Sequence, residues 1–183
     1  MNVAPLPKNK TAKLNALRNL EILDTTEEAE FKKITAFAAQ QFKVPIAVIN
    51  LVGADHQRFR YHYGIDACET YRDVAFCAHA ILQNDTFIIP DATQDPRFDN
   101  DPLVTGEPYI RFYAGHPLTS KDGFNIGTLC LIDTVPRTLT PKEQKLLAEM
   151  AKRVTILIQM RLTTMKLKNT ALTLKSSQDK KIL

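Results

Sequence analysis

The sequence predicts an α+β fold in which one antiparallel sheet carries the terminal helices on a single face. Three observations predict it. Two apolar runs, 111–118 and 125–133, are joined through Lys121-Asp122-Gly123 and make the strongest hairpin signal in the chain. Residues 46–52 are apolar on both faces, as expected of a central strand covered from both sides. Helical periodicities lie before and after the strands instead of alternating with them. A chain of 183 residues is long enough for one domain with a real core.

Residues 1–10, with Pro5 and Pro7, read as a disordered lead-in. Leu14, Leu17 and Leu20 then predict a short helix over 11–20. Asp24-Thr25-Thr26 supplies an N-cap for a second helix, with Glu27 and Glu28 well placed in its first turn. Phe31, Ile34, Ala38 and Phe42 give that helix one buried stripe, and it is expected to stop near Val44-Pro45. After strand 46–52 and a turn at Gly53-Ala54-Asp55, residues 56–63 alternate. Phe59, Tyr61 and Tyr63 are expected to point one way, and Arg58, Arg60 and His62 the other.

Residues 64–72 read as a loop, followed by a short helix within 75–82 that Asp73 can cap. A brief strand at 86–89 ends at Pro90. The long segment 91–110 leads into the hairpin, and loops of that length tend to carry function. Thr140-Pro141-Lys142-Glu143 forms a complete helix-start signature. Leu147, Met150, Val154 and Leu157 make its inner stripe. Beyond Arg161 the pattern turns polar yet stays helix-compatible as far as Leu174, and a helix that outruns its domain meets a partner helix.

Composition narrows the function classes. The 44% apolar and 24% charged fractions are those of a soluble protein. No apolar run approaches the roughly 20 residues of a membrane span, and the basic start lacks the apolar segment of a signal peptide. A cytoplasmic location follows. Cys68, Cys77 and Cys130 are too sparse for a disulfide framework. The net charge of +4 belongs to the tail, because residues 1–160 hold 18 basic and 19 acidic groups. No basic footprint for nucleic acid lies on the globular part.

Several short segments are recognisable together. They are Leu23-Asp24-Thr25, the run 45–52, Ala75-Phe76-Cys77-Ala78-His79-Ala80-Ile81, Pro90-Asp91-Ala92, Asp95-Pro96-Arg97-Phe98, Arg111-Phe112-Tyr113-Ala114-Gly115, the run 127–133 and Pro136-Arg137. In this order they resemble a bacterial GAF domain over roughly residues 18–162. The subfamily is the one often found N-terminal to histidine kinase or diguanylate cyclase modules. The resemblance implies a six-stranded antiparallel sheet, terminal helices packed on one face, and a ligand pocket with loops and a short helix on the other. It implies a sensory domain over 11–162 with a C-terminal helical extension or tail over 163–183. It further implies a homodimer through the N- and C-terminal helices and a downstream kinase or cyclase output module. Many relatives carry an aspartate and then a tryptophan after the first strand; this chain has Gly53 and Arg58-Phe59, and contains no tryptophan.

The candidate pocket residues are Phe76, His79, Asp91, Phe98, Arg111, Tyr113 and Cys130. Cys77 and His79 point about 200° apart on a helix and cannot share a metal. No CxxC, HExxH or Cys/His cluster is present, so no metal is expected. The adjacent cysteine–histidine pair of bilin-binding relatives is missing, and Cys130 reads as buried and inert. No nucleophile–base pair can be placed, so the chain is expected not to be an enzyme. Asp91, Asp95 and Asp99 read as turn and cap residues, with an Asx turn at Asp95. Arg111 reads either as a salt-bridge pin to Asp91 or Asp95, or as an anion clamp. Two functional readings stand, ahead of a third and least favoured one, a small redox enzyme on the GAF fold. One is a sensor binding an unidentified small molecule; the other is a dimerisation domain whose pocket is plugged by its own side chains. The residues name no cofactor.

Overall fold

The computed structural model describes residues 28–52, 56–65, 69–71 and 76–179. The expected lead-in, the helix over 11–20, the cap at Asp24-Thr25-Thr26 and the capping role of Asp73 lie outside those residues. Helix α1, Glu28–Phe42, buries Phe31, Ala38 and Phe42 along its predicted stripe. It closes where Lys43 takes a left-handed φ of 52° and the Val44 amide donates to the Ala39 carbonyl at 3.0 Å. Pro45 then prevents continuation.

The strands are β1 (Ile46–Val52), β2 (His56–Tyr63), β3 (Glu69–Tyr71), β4 (Phe87–Ile89), β5 (Phe112–Thr119) and β6 (Asn125–Asp133). They form one sheet in the order β3-β2-β1-β6-β5-β4, with every neighbouring pair antiparallel. Helix α2 is Phe76–Ala80 and α3 is Pro102–Thr105; the terminal helix α4 runs Pro141–Asp179. The expected α+β class and antiparallel sheet are both found.

The two central strands, β1 and β6, explain the sequence pattern, since each is buried on both faces. On one face Ala47, Ile49, Phe112, Ala114, Leu118, Leu129 and Leu131 pack under α1 and α4. On the other, Val48, Val52, Tyr113, Cys130 and Ile132 pack with Phe87 and Ile89 of β4 beneath α2 and the 91–111 segment. Period-two alternation along β5 and β6 thus sends successive residues to the helix layer and to the loop layer.

The sheet departs from the sequence reading in two places, and a short helix, α3, forms within the segment read as a loop over 91–110. Within the stretch read as a loop over 64–72, residues 69–71 form the edge strand β3 against His56, Gln57 and Arg58. Three polar-flanked residues carry no alternation that would announce a strand. In β2 the clean alternation breaks, because the register shifts opposite Ile49 and Asn50 and leaves Arg60 as the extra residue of a bulge. Tyr61 is buried and stacks on Phe31 with centroids 4.4 Å apart, whereas Tyr63, at the strand's end, is largely exposed.

Helix α4 begins with the predicted capping box: the Glu143 amide donates to Thr140 Oγ1, and the Thr140 amide donates back to Glu143 Oε2 at 2.8 Å. It buries Leu147, Ala151, Val154 and Ile158 against the sheet. Arg161 then lies over the Phe31 ring at 4.3 Å and reaches Glu30, tying α4 to α1. From there the helix continues unbroken to Asp179.

Candidate functional site

The loop-layer face of the sheet holds a compact buried polar cluster. Strand register builds it: Cys130 pairs with Gly115 on one side and Val48 on the other, and Thr128 pairs with Asn50. Asn50 Oδ1 accepts from the Thr128 amide at 3.0 Å and from Thr128 Oγ1 at 2.8 Å. Above them α2 lowers Cys77, whose Sγ accepts from the Tyr113 hydroxyl at 3.2 Å and lies 3.9 Å from Cys130 Sγ. Every one of these side chains is buried. Burial opposes charge on Cys77, yet the bonds from Cys130, Thr128, Tyr113 and Asn50 outweigh it and bring that thiol down to about 7. Cys130 is pushed well above the ordinary thiol range by its bond to Cys77 and by burial. Burial also raises the Tyr113 phenol.

An aromatic layer covers this cluster. Phe76 stacks on Phe98 at 4.2 Å and on Tyr113 at 5.1 Å, and His79 meets the edge of Phe98 at 5.1 Å. Cys77 and His79, neighbours but one on α2, do face different surroundings. Phe98 is delivered by the loop through an Asx turn in which Asp95 Oδ1 accepts from the Arg97 amide at 3.0 Å. Asp95 also grips the Arg97 guanidinium with both oxygens, at 2.9 and 2.6 Å. The guanidinium thereby sits 5.0 Å from the Phe87 centroid and 5.4 Å from that of Phe98. Its bond to Asp95 holds that carboxyl below its usual range, and raises the Arg97 value in return.

The loop's neck is closed by backbone bonds. The Ala92 amide donates to the Arg111 carbonyl at 2.6 Å, and the Arg111 amide donates to the Asp133 carbonyl at 2.9 Å. Asp91 caps the following turn through the Thr93 amide and hydroxyl. The Arg111 side chain donates to the carbonyls of Val104 at 2.9 Å and Ile110 at 3.1 Å. The salt bridge expected from Arg111 to Asp91 or Asp95 is therefore not what forms, because those carboxylates are engaged by Thr93 and Arg97. Arg111 ties the loop to itself through main-chain acceptors.

Of the candidate pocket residues, Phe76, His79, Phe98, Tyr113 and Cys130 come together around α2, while Asp91 and Arg111 stand at the loop's neck. Asn50, Thr128 and Arg97 are not among the sequence candidates, and Cys77, considered there with His79 and set aside as a metal ligand, joins the same cluster. Asn50 had a readable signal, being the one polar residue in the run 46–52. Arg97 had one too, since an Asx turn at Asp95 leaves the carboxylate beside the side chain two residues on. Among the described residues no group of three or more His, Cys, Asp or Glu is arranged to hold a metal ion. No described helix is long and apolar enough to cross a membrane. On the helix face, a groove of about 390 Å³ opens between the β5–β6 turn and α4, lined by Lys121, Ile126, Ile158, Leu162, Thr163 and Leu167.

The model of the GAF domain family matches residues 26–158, which includes all six strands and the first half of α4. The chain belongs to the GAF family. A relative from Pseudomonas aeruginosa, a cyclic di-GMP phosphodiesterase, is 39% identical over 155 residues, covering 84% of this chain and 26% of its own. The chain thus spans about a quarter of the length of that relative. Among solved structures, the blue-light absorbing form of the Thermosynechococcus elongatus PixJ GAF domain superposes with a TM-score of 0.62 at 14% identity, over 87% of this chain and 96% of the other. The type II free methionine-R-sulfoxide reductase of Thermoplasma acidophilum gives 0.61 at 14% identity, over 73% and 92%. These two likenesses show the GAF fold alone. The expectation that the chain is not an enzyme is overturned by these relatives: the one with 39% identity is named a phosphodiesterase. Absence of a legible nucleophile–base pair in one domain was too narrow a ground for it.

Proposed function

We propose that this GAF domain is a regulatory sensor in bacterial signal transduction. It takes up a small molecule on the sheet face that carries Tyr113, Cys130 and the 91–111 loop, and passes occupancy to the terminal helices. The observation that carries the reading is the continuity of α4, which is packed on β5 and β6 at Leu147, Ala151, Val154 and Ile158 and then runs on without a break to Asp179. A ligand that prefers one arrangement of β5 and β6 over another acts at the base of that helix. The 39% identity to a cyclic di-GMP phosphodiesterase supports an output in cyclic di-GMP turnover, with a kinase or cyclase module as the other partner of this type. We place the domain in the cytoplasm as a homodimer through its end helices.

The test is native mass spectrometry of protein extracted from cells, followed by thermal-shift screening of small molecules including cyclic nucleotides. A bound species that raises Tm supports the reading; an empty protein that no compound stabilises overturns it. A second reading is favoured by the stack of Phe76, Phe98 and Tyr113, which fills space on the same face. In that reading the domain is a dimerisation module with a plugged pocket. It predicts a negative ligand screen together with a dimer in solution.

A further inference from the structure

The sensor reading uses the face that carries Cys130 but gives no role to the contact between Cys77 and Cys130. Two thiols at 3.9 Å, from a short helix and a central strand, must close by about 2 Å to reach disulfide bonding distance. Side-chain rotation with a small helix shift spans such a gap. Three features set this pair apart from two inert core cysteines. The sulfurs already share a hydrogen bond. Tyr113 places a hydroxyl on Cys77 Sγ, and Asn50 with Thr128 completes a polar floor in an otherwise apolar layer. Finally, α2 is only five residues long, so few i→i−4 bonds resist a small shift of this helix over the sheet.

We propose that Cys77 and Cys130 form a modification site, a dithiol that a hydroperoxide oxidises to an intramolecular disulfide. The Cys77 sulfur attacks the peroxide, the O–O bond breaks, and the alcohol or water leaves with the thiol proton, giving a sulfenic acid at Cys77. The Cys130 sulfur then attacks Cys77, the S–O bond breaks, and the hydroxyl departs as water with the Cys130 proton. Two thiols and one hydroperoxide become one disulfide, one alcohol or water, and one water. Cys77 is the attacking member, since its hydrogen bonds favour the thiolate while Cys130 is held protonated. The product fastens α2 to β6 across 53 positions of chain and fixes the face that the 91–111 loop covers.

The test uses the full chain carrying Cys68→Ser, treated with hydrogen peroxide in the folded state and mapped by non-reducing peptide mass spectrometry. The expected result is a Cys77–Cys130 linked peptide lighter by two hydrogens and a rise in Tm on the order of 10 °C, reversed by dithiothreitol. Cys77→Ser and Cys130→Ser each abolish both. The proposal is overturned if both thiols stay reduced in the folded protein at peroxide doses that link them in urea. It is equally overturned if Cys77 stops at a sulfinic acid without engaging Cys130.

Discussion

The Tyr113 ring lies over Gly115, two residues along the same strand, so closely that a β-carbon at 115 would stand 2.2 Å from the phenolic oxygen. Glycine here is a matter of space on the sheet surface, and the backbone has no positive φ to explain it. Gly115→Ala must displace the ring, losing its bond to Cys77 and its stack on Phe76. We expect a cost of about 1–3 kcal/mol by chemical denaturation, and less than the sum of the two changes when Tyr113→Leu is added. Additive losses would show that the ring does not depend on the glycine.

Asp133 and Arg137 make the second strong dependence. Asp133 is almost fully buried, accepts from the Thr134 and Val135 amides and pairs with Arg137 Nε. Arg137 also donates to the Lys43 carbonyl, and its amide to that of Pro90, so one pair joins the end of β6 to the α1–β1 connection and to the start of the loop. Asp133→Ala leaves these donors without their acceptor and is expected to cost roughly 3 kcal/mol. Equilibrium unfolding that moves by less than about 1 kcal/mol would refute a structural role.

Arg111→Ala separates pin from clamp. Its bonds to the Val104 and Ile110 carbonyls make it a pin, so the variant should lose about 1–2 kcal/mol and show faster amide exchange at Val104, Thr105 and Gly106. Any ligand found by the screen should bind with little change in affinity. Unchanged exchange with a large loss of binding would make it a clamp instead.

Much of this was legible in the residues. The hairpin, the central strand 46–52, the capping box at Thr140 and the Asx turn at Asp95 are local rules written into adjacent positions, and each is found. What stayed hidden depends on register between distant strands. Nothing near Cys77 in sequence says that it meets Cys130, because that contact follows from α2 crossing the sheet above the Gly115–Cys130 pair. Arg111 misled for the opposite reason. Its charge advertised carboxylate partners, whereas the folded loop presents it with carbonyls.

Two loop carboxylates should give opposite responses to acid. Arg97 depresses the folded value of Asp95, so that pair contributes stability above the ordinary carboxylate value and loses it as pH falls through the folded one. Arg97 is substantially exposed, which limits the effect to under about 1 kcal/mol. Burial raises the folded value of Asp101, the cap of α3, so its contribution is present at low pH and is lost as pH rises through the folded value. Asp95→Asn should therefore reduce the loss of Tm on acidification, and Asp101→Asn, which can still cap, should raise Tm at neutral pH. Parallel Tm curves for all three proteins between about pH 3 and pH 7 would defeat both assignments.

The dimer is the claim most open to direct attack. From the turn that meets Phe31 onward, α4 presents Met160, Leu167 and Leu174 to solvent, each more than 60% exposed and spaced seven residues apart. Ile156, Thr163 and Thr170 fall at the intervening positions, so one face of the helix carries a heptad seam opposite the face that packs on the sheet. Leu167, Thr163 and Thr170 also line the groove beside the β5–β6 turn, which gives a partner helix a place to lie. The side chains are exposed in the single chain, so Met160→Lys with Leu167→Lys should leave the fold intact and abolish association. Light scattering over a concentration series should show the wild type dimeric and the double variant monomeric, with matching circular dichroism. A wild type that stays monomeric throughout would remove the homodimer, and the groove with its seam would then need a different occupant.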